Sequence, residues 1–306
     1  MNEFEIIDWL RTAMAVRGPT VVGPGDDCAL VRMDGGDLCV SVDAIVEGVD
    51  FLPGTKPYAI GWKAAAAGLS DIAAAGCAPV AVVAAVMLPP GRGLEFVQDL
   101  HRGMDAVCLK FGISVAGGDL SATGDRLVVT VTAFGRVPPG VPMLRRCGAR
   151  DGDRLFVTGT LGGSIEGRQF TFLPRIREVL RIRDIAAPTA MIDISDGLWS
   201  EANHIARESG LTITIDAPAI PVADEVRARH PDDAVLQWRH ALTDGEDFEL
   251  LFTLPAAAVD NLLRKWDFKT PLTCIGVCRA GAPAVELAGT GGRLAAADLR
   301  SYSHAF

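Results

Sequence analysis

The feature that most limits the folds open to this chain is a repeated pairing of carboxylates with small residues. Gly23-Pro24-Gly25-Asp26-Asp27 runs straight into Cys28-Ala29-Leu30. Gly and Pro in this order set a turn, and two adjacent carboxylates repel unless a cation or a proton sits between them. Taken alone, the turn fits a polar surface bend as well as a functional site. The theme recurs, however, in Ser41-Val42-Asp43, Ser70-Asp71, Gly117-Gly118-Asp119, Asp193-Ile194-Ser195-Asp196-Gly197 and Asp244-Gly245-Glu246-Asp247. This pattern predicts element ends that gather acidic oxygens around hard cations. It also sends Asp26 and Asp27 outward, at the mouth of the sheet that follows.

Length and charge narrow the field. A chain of 306 residues predicts about two domains. With 49% hydrophobic and 22% charged residues it is globular rather than disordered. A net charge of −9 with no Lys/Arg-rich run argues against nucleic acid or an anionic membrane as partner. Phosphates stay possible where metal ions reverse the local sign. The acidic start Met1-Asn2-Glu3-Phe4-Glu5 does not read as a secretory leader, and the apolar run 80–88 is too short for a bilayer. Seven scattered cysteines without a CxxC read as free thiols of a cytoplasmic protein. Five dispersed histidines offer no zinc pattern.

Hydrophobic periodicity predicts helices over 3–16, 56–76, 93–111, 171–185, 198–209 and 256–266. It predicts strands over 37–46, 80–88, 113–116, 126–137, 155–159, 190–194, 211–215, 248–254 and 272–277. Ser41 and Asp43, two apart on a strand, face the same way. Asp71 falls near a helix C-terminus, where a negative charge opposes the dipole and calls for a positive neighbour. Gly162-Gly163-Ser164 reads as a helix start whose free N–H groups suit a phosphate. The arginines 175, 177, 181 and 183 read as a solvated helix face. Pro138-Pro139-Gly140-Val141-Pro142 is the domain boundary, giving residues 1–137 and 138–306.

Seven motifs in order carry a family resemblance over nearly the whole chain. They are GPGDDCALV (23–31), SVDAIVEGVDFLP (41–53), GLSDIAAAG (68–76), AGGDLSAT (116–123), LRRCGARDGDRLFVTGTLGGS (144–164), IDISDGL (192–198) and DGEDFELLFT (244–253). Together they resemble the thiamine-monophosphate kinases of the aminoimidazole ribonucleotide synthetase superfamily. The resemblance implies an α+β, two-domain fold: an N-terminal half-barrel sheet that pairs across a homodimer, and a C-terminal α/β domain folded over the active site. It implies transfer of the ATP γ-phosphoryl group to thiamine monophosphate with several Mg2+ ions. By motif, Asp27, Ser41, Asp43, Asp71, Asp119, Asp193 and Asp196 match magnesium ligands, with Asp43, Asp71 and Asp119 central to catalysis. Gly118, Asp119, Arg146 and Ser195 match ATP contacts, and Glu246 and Tyr302 match positions near the thiamine moiety. The chain departs from the family in three places. Asp50 stands where the family has His, at the acceptor. Val42 replaces Thr, leaving only a backbone carbonyl for a metal. The segment between Gly163 and Asp193 is short and lacks the HxRPxPR pattern.

The chemistry asks for these residue types. Phosphoryl transfer depends on positioning and charge stabilisation. A phosphate monoester has a second pKa of about 6, so the acceptor is a dianion at neutral pH and needs no general base. Two such anions at ~4 Å repel by several kcal/mol even at an effective dielectric of ~20, which calls for bridging Mg2+ held by carboxylates. No nucleophile stands out, so direct transfer is expected. Two rivals are another ATP-using member of the superfamily and a non-catalytic nucleotide- or metal-binding homologue. A selenophosphate synthetase would need a reactive Cys in a Gly-rich N-terminal stretch, and none is present.

Overall fold

The Ala-rich run after Pro57 forms helix α2 (Pro57–Ala74), and the rest of the chain is layered around it. Pro57 opens the helix where no intrahelical N–H is needed, and Gly76 ends it with a left-handed φ of 67°. Thirteen of its residues, from Ile60 to Ala74, are buried. A helix buried on all sides needs small side chains. At Gly61, a Cβ would sit 1.9 Å from the Leu100 carbonyl oxygen of α3 (Leu94–Lys110). The structure, a computed structural model, describes residues 3–292 and 294–299.

Among these residues there are two six-stranded sheets. The first contains β1 (Thr20–Val22), β2 (Ala29–Val31), β3 (Leu38–Val46), β4 (Ala78–Leu88), β5 (Ser114–Ala122) and β6 (Val128–Arg136), in the order β1-β2-β3-β6-β4-β5. All pairs are antiparallel except β4–β5. The second contains β7 (Arg154–Thr158), β8 (Ala190–Asp193), β9 (Thr212–Asp216), β10 (Leu250–Leu254), β11 (Leu272–Arg279) and β12 (Ala284–Ala288), in the order β12-β9-β11-β7-β10-β8. Helix α1 (Glu3–Ala13) precedes the first sheet, and α4 (Ile176–Ile185), α5 (Leu198–Ser209), α6 (Asp224–Arg229), α7 (Ala234–Thr243) and α8 (Val259–Lys265) accompany the second. This is the expected α+β class with mixed sheets.

Leu69 and Ile72 of α2 share one core with Val129 and Val131 of β6 and with Met191 and Phe252 of the second sheet. Burying each such side chain stabilises the fold by roughly 1.5–3 kcal/mol. A separate core, including Leu155, Ile205 and Ile213, fills the far face of the second sheet under α5. Among the described residues, no helix is long and apolar enough to cross a membrane.

Several expectations about elements change. β3 reaches Val46 as expected, but this puts Ser41-Val42-Asp43 mid-strand and not at an element end. β5 runs through Gly117-Gly118-Asp119 instead of stopping before it. The register shifts between Val82↔Val115 and Val83↔Gly117, so Ala116 is bulged and the glycines re-enter the ladder beyond it. The helix expected over 171–185 starts only at Ile176, after Pro174, and 256–266 shortens to α8 behind a 3-10 turn. The short strands β1, β2 and β12 and the helices α6 and α7 carry too few periodic positions to be read from sequence.

Candidate active site

Helix α2 forms the floor of the site. Lys63, Ala67 and Asp71 recur every four residues, so they make one stripe along the helix. All three line a cavity of about 540 Å³, closed on other sides by Asp43, Asp50, Gln169, Phe170, Asp196 and Glu246. A second cavity of about 670 Å³ is lined by residues 14–17 and by Gly23, Pro24, Asp27 and Arg146. The two spaces share Asp43, Asp71, Asp193 and Ser195. Two ligand-sized cavities therefore meet at one acidic centre.

That centre is drawn from both halves of the chain. Carboxylate oxygens of Asp27, Asp71 and Asp193 lie within 4.8 Å of one another. Asp43 reaches the Asp71 carboxyl group, and Ser41 Oγ donates to Asp71 Oδ2. From the next position on α2, Ser70 Oγ donates to Asp193 Oδ2 at 2.5 Å. Ser41 is buried and Asp43 half-buried, while Val42 between them is 63% exposed, as strand alternation requires.

Asp26 and Asp27 do not point outward to solvent. Their side chains are 5% and 3% exposed, because Arg145 and Arg146 fold over them. Arg145 Nε donates to Asp26 Oδ2 at 2.7 Å, and the Arg146 amide donates to Asp26 Oδ1 at 2.8 Å. Arg146 Nη2 and Nε donate to Asp27 Oδ1 at 2.7 and 3.1 Å. The turn is neutralised by arginines 119 or 120 positions away, which its local pattern cannot reveal.

Electrostatically the centre is short of positive charge. Burial, helped by neighbouring carboxylates, pushes Asp43 up to about 6 and Asp193 up to about 7. The same causes push Asp71 well above the ordinary carboxylate range. Burial also raises Asp27, against the opposing pull of Arg146. Groups so placed hold protons unless cations replace them. Asp71 also sits in the last turn of α2, where the helix dipole adds nothing favourable. The donor set is all oxygen and mostly anionic, which fits hard divalent ions such as Mg2+.

The remaining expected residues divide. Asp196 lines the first cavity and Ser195 lines both. Gly118 and Asp119 stand apart from the centre. Asp43 pairs with Val131, Val131 with Ala84, and Ala84 with Gly118, so Asp119 lies three strands across the sheet. At strand spacings near 4.8 Å that is about 14 Å. Asp119 is exposed on the free edge strand, accepting from Ser121 Oγ at 2.8 Å. Asp50 and Glu246 both line the first cavity. The Asp50 carboxylate turns back to accept from the Val46 amide at 2.7 Å. Tyr302 lies outside the described residues.

Two further readings are corrected. The Gly162 amide donates to Asp247 and the Gly163 amide to Asp244, so these N–H groups are already engaged and do not await a phosphate. The basic segment is a solvated face only in part: Arg177 is exposed, while the other three arginines are tied down. Arg175 is paired with Glu249, Arg181 with Asp267, and Arg183 donates to the carbonyls of Gly76 and Pro142. Sequence reasoning missed Lys63 and Gln169 altogether. The available signal was the i, i+4, i+8 stripe linking Lys63 and Ala67 to Asp71.

Comparison with known proteins agrees with this geometry. The family model for the AIR synthase related protein, N-terminal domain, matches residues 25–137. The thiamine-monophosphate kinase of Salmonella typhimurium (strain LT2) is 34% identical over 308 residues, covering 92% of this chain and 91% of that one. The solved structure of AaThiL complexed with AMPPCP and TMP superposes with a TM-score of 0.84 at 29% identity, covering 99% of this chain and 97% of that one. The crystal structure of thiamine-monophosphate kinase from Stenotrophomonas maltophilia K279a superposes with a TM-score of 0.75 at 32% identity, covering 94% and 96%. An acidic centre between two cavities, in a chain with these full-length relatives, leads to one assignment: the chain belongs to the thiamine-monophosphate kinase family, within the AIR synthase-related superfamily.

Proposed function

We propose that the phosphoryl group passes directly, in line, from ATP in the 670 Å³ cavity to thiamine monophosphate in the 540 Å³ cavity, at the carboxylates the two share. The activity is that of the family: ATP-dependent phosphorylation of thiamine monophosphate to thiamine diphosphate. The shared lining of the two cavities supports the reading: donor and acceptor phosphates so bound would meet at one anionic centre.

In this reading an oxygen of the acceptor phosphate attacks the γ-phosphorus. The bond from that phosphorus to the bridging oxygen breaks, and ADP leaves with the electron pair. The acceptor arrives as a dianion, so no side chain need remove a proton. Asp27, Ser41, the Val42 carbonyl, Asp43, Asp71, Asp193 and Asp196, with Asp119, would hold Mg2+, which when bound offsets the repulsion between the two phosphates. Arg146 lines the ATP side and can fork onto phosphate oxygens. Ser195, which lines both cavities, would donate to the transferring group. Ser70 and Ser41 orient the Asp193 and Asp71 carboxylates.

Asp119 completes the site from a second copy of the chain. β5 is an edge strand nine residues long whose backbone is open to pairing. A homodimer joined along β5 brings Asp119 and Gly118 of one subunit toward the centre of the other.

Transfer from ATP made chiral at the γ-phosphorus tests the direct route. Inversion in thiamine diphosphate supports it; retention means two displacements and a phosphoenzyme.

A further inference from the structure

Lys63 is only 1% exposed, yet it lines the acceptor cavity, and none of the roles above uses it. Its Nζ donates to the Asp50 carbonyl at 2.6 Å and to Gln169 Oε1 at 2.6 Å. It lies 2.9 Å from Glu246 Oε2 and 5.7 Å from the centre of the Phe170 ring. These partners come from three separate segments: the turn after β3, the 3-10 turn Arg168–Phe170, and the loop between α7 and β10. They form three walls of one cavity, and two of the walls belong to the second half of the chain.

The partners are themselves held. Gln169 Nε2 donates to the Ile165 carbonyl at 2.7 Å. Glu246 has a left-handed φ of 58°, unfavourable for a side chain of this kind, and its amide donates to the Ser195 carbonyl at 2.6 Å. Glu246 Oε2 is buried and, among the described residues, no donor meets it in hydrogen-bonding geometry, although the Lys63 ammonium stands beside it. A buried carboxylate neutralised by an ion pair, with acceptor capacity unused, is suited to meet a polar or cationic ring entering the cavity.

We propose that Lys63 is a positioning residue for the phosphoryl acceptor. Its ammonium gathers Asp50, Gln169 and Glu246 into one wall and keeps the Glu246 carboxyl group aimed at the heterocyclic part of thiamine monophosphate. This rests on assigning the acceptor to the 540 Å³ cavity. Lys63 acts through Glu246 and stays clear of the transferring phosphate.

Steady-state kinetics on the full-length enzyme, with thiamine monophosphate and ATP varied independently, test it. Lys63→Met is expected to raise KM for thiamine monophosphate at least tenfold. KM for ATP should stay within twofold and kcat within threefold. Adding Glu246→Gln to Lys63→Met should raise the acceptor KM by less than twofold more, because the two act as a unit. Multiplying effects, or a lower melting temperature with both KM values unchanged, would overturn the proposal and leave Lys63 a structural ion-pair partner. Should Lys63→Met not fold, Gln169→Leu removes another part of the wall and should give the same split between the two KM values; equal changes in both would sink the idea. Ile165→Trp, which crowds the cavity mouth, separates the two readings. If it raises the acceptor KM while Lys63→Met does not, only the role of Lys63 fails. If neither does, the assignment of the cavity fails with it.

Discussion

Ser70 Oγ donates to Asp193 Oδ2 at 2.5 Å, and this bond crosses from the central helix to the last strand of the second sheet. Ser70 and Asp193 are 0% and 4% exposed, so neither can turn to water instead. Ser70→Ala should leave Asp193 without its donor and lose about 1–3 kcal/mol. A magnesium titration of activity should show a midpoint raised by roughly 5- to 150-fold, with kcat at saturating Mg2+ little changed. An unmoved midpoint would remove the link between this bond and the metal centre.

Asp71 is crowded by Asp43, Asp193 and Asp27. Asp71→Asn should lower kcat by at least about 100-fold, because a charge lining both cavities is gone. The same change relieves repulsion, so without Mg2+ the variant should melt no lower than the parent. Activity and melting curves on one preparation separate the two effects. A variant that is both active and destabilised would contradict the account.

The acidic centre also predicts a pH dependence. Asp43 and Asp193 titrate near 6 and 7 in the fold, against about 3.9 for an unfolded Asp. Between about pH 4 and 7 the native chain therefore binds more protons than the unfolded one, and the contribution of these groups to stability falls as pH rises through that window. Metal binding to the deprotonated centre reverses this. The gain in melting temperature from Mg2+ over EDTA should be small at pH 5 and largest at pH 8. A gain independent of pH would show that these carboxylates do not receive the metal.

Asp119, about 14 Å from the centre across three strands, should act in the other subunit. Asp119→Asn and Asp71→Asn homodimers should each be inactive. Mixed and re-equilibrated in equal amounts, they should recover about a quarter of the parental activity, since half the dimers are mixed and each mixed dimer has one intact site. No recovery in confirmed mixed dimers would mean that Asp119 does not serve the other subunit's site.

What the sequence by itself determined was chemistry and local geometry. The types of ligand, the same-face placement of Ser41 and Asp43, the long helices and strands, and the family all rest on patterns a few residues wide. Periods of 2 and 3.6 are enforced by the backbone locally, so they survive without knowledge of neighbours. Only the tertiary structure decided which acidic positions converge. Asp27, Asp71 and Asp193 meet because α2 lies between two sheets, whereas Asp119 is carried away by the order β3-β6-β4-β5. Likewise, Arg145 and Arg146 turn the first acidic pair inward, Asp247 and Asp244 occupy the amides of Gly162 and Gly163, and Lys63 finds three partners from separate segments. Nearly all of these pairings join residues dozens of positions apart, and their energy depends on burial that exists only once the layers have packed.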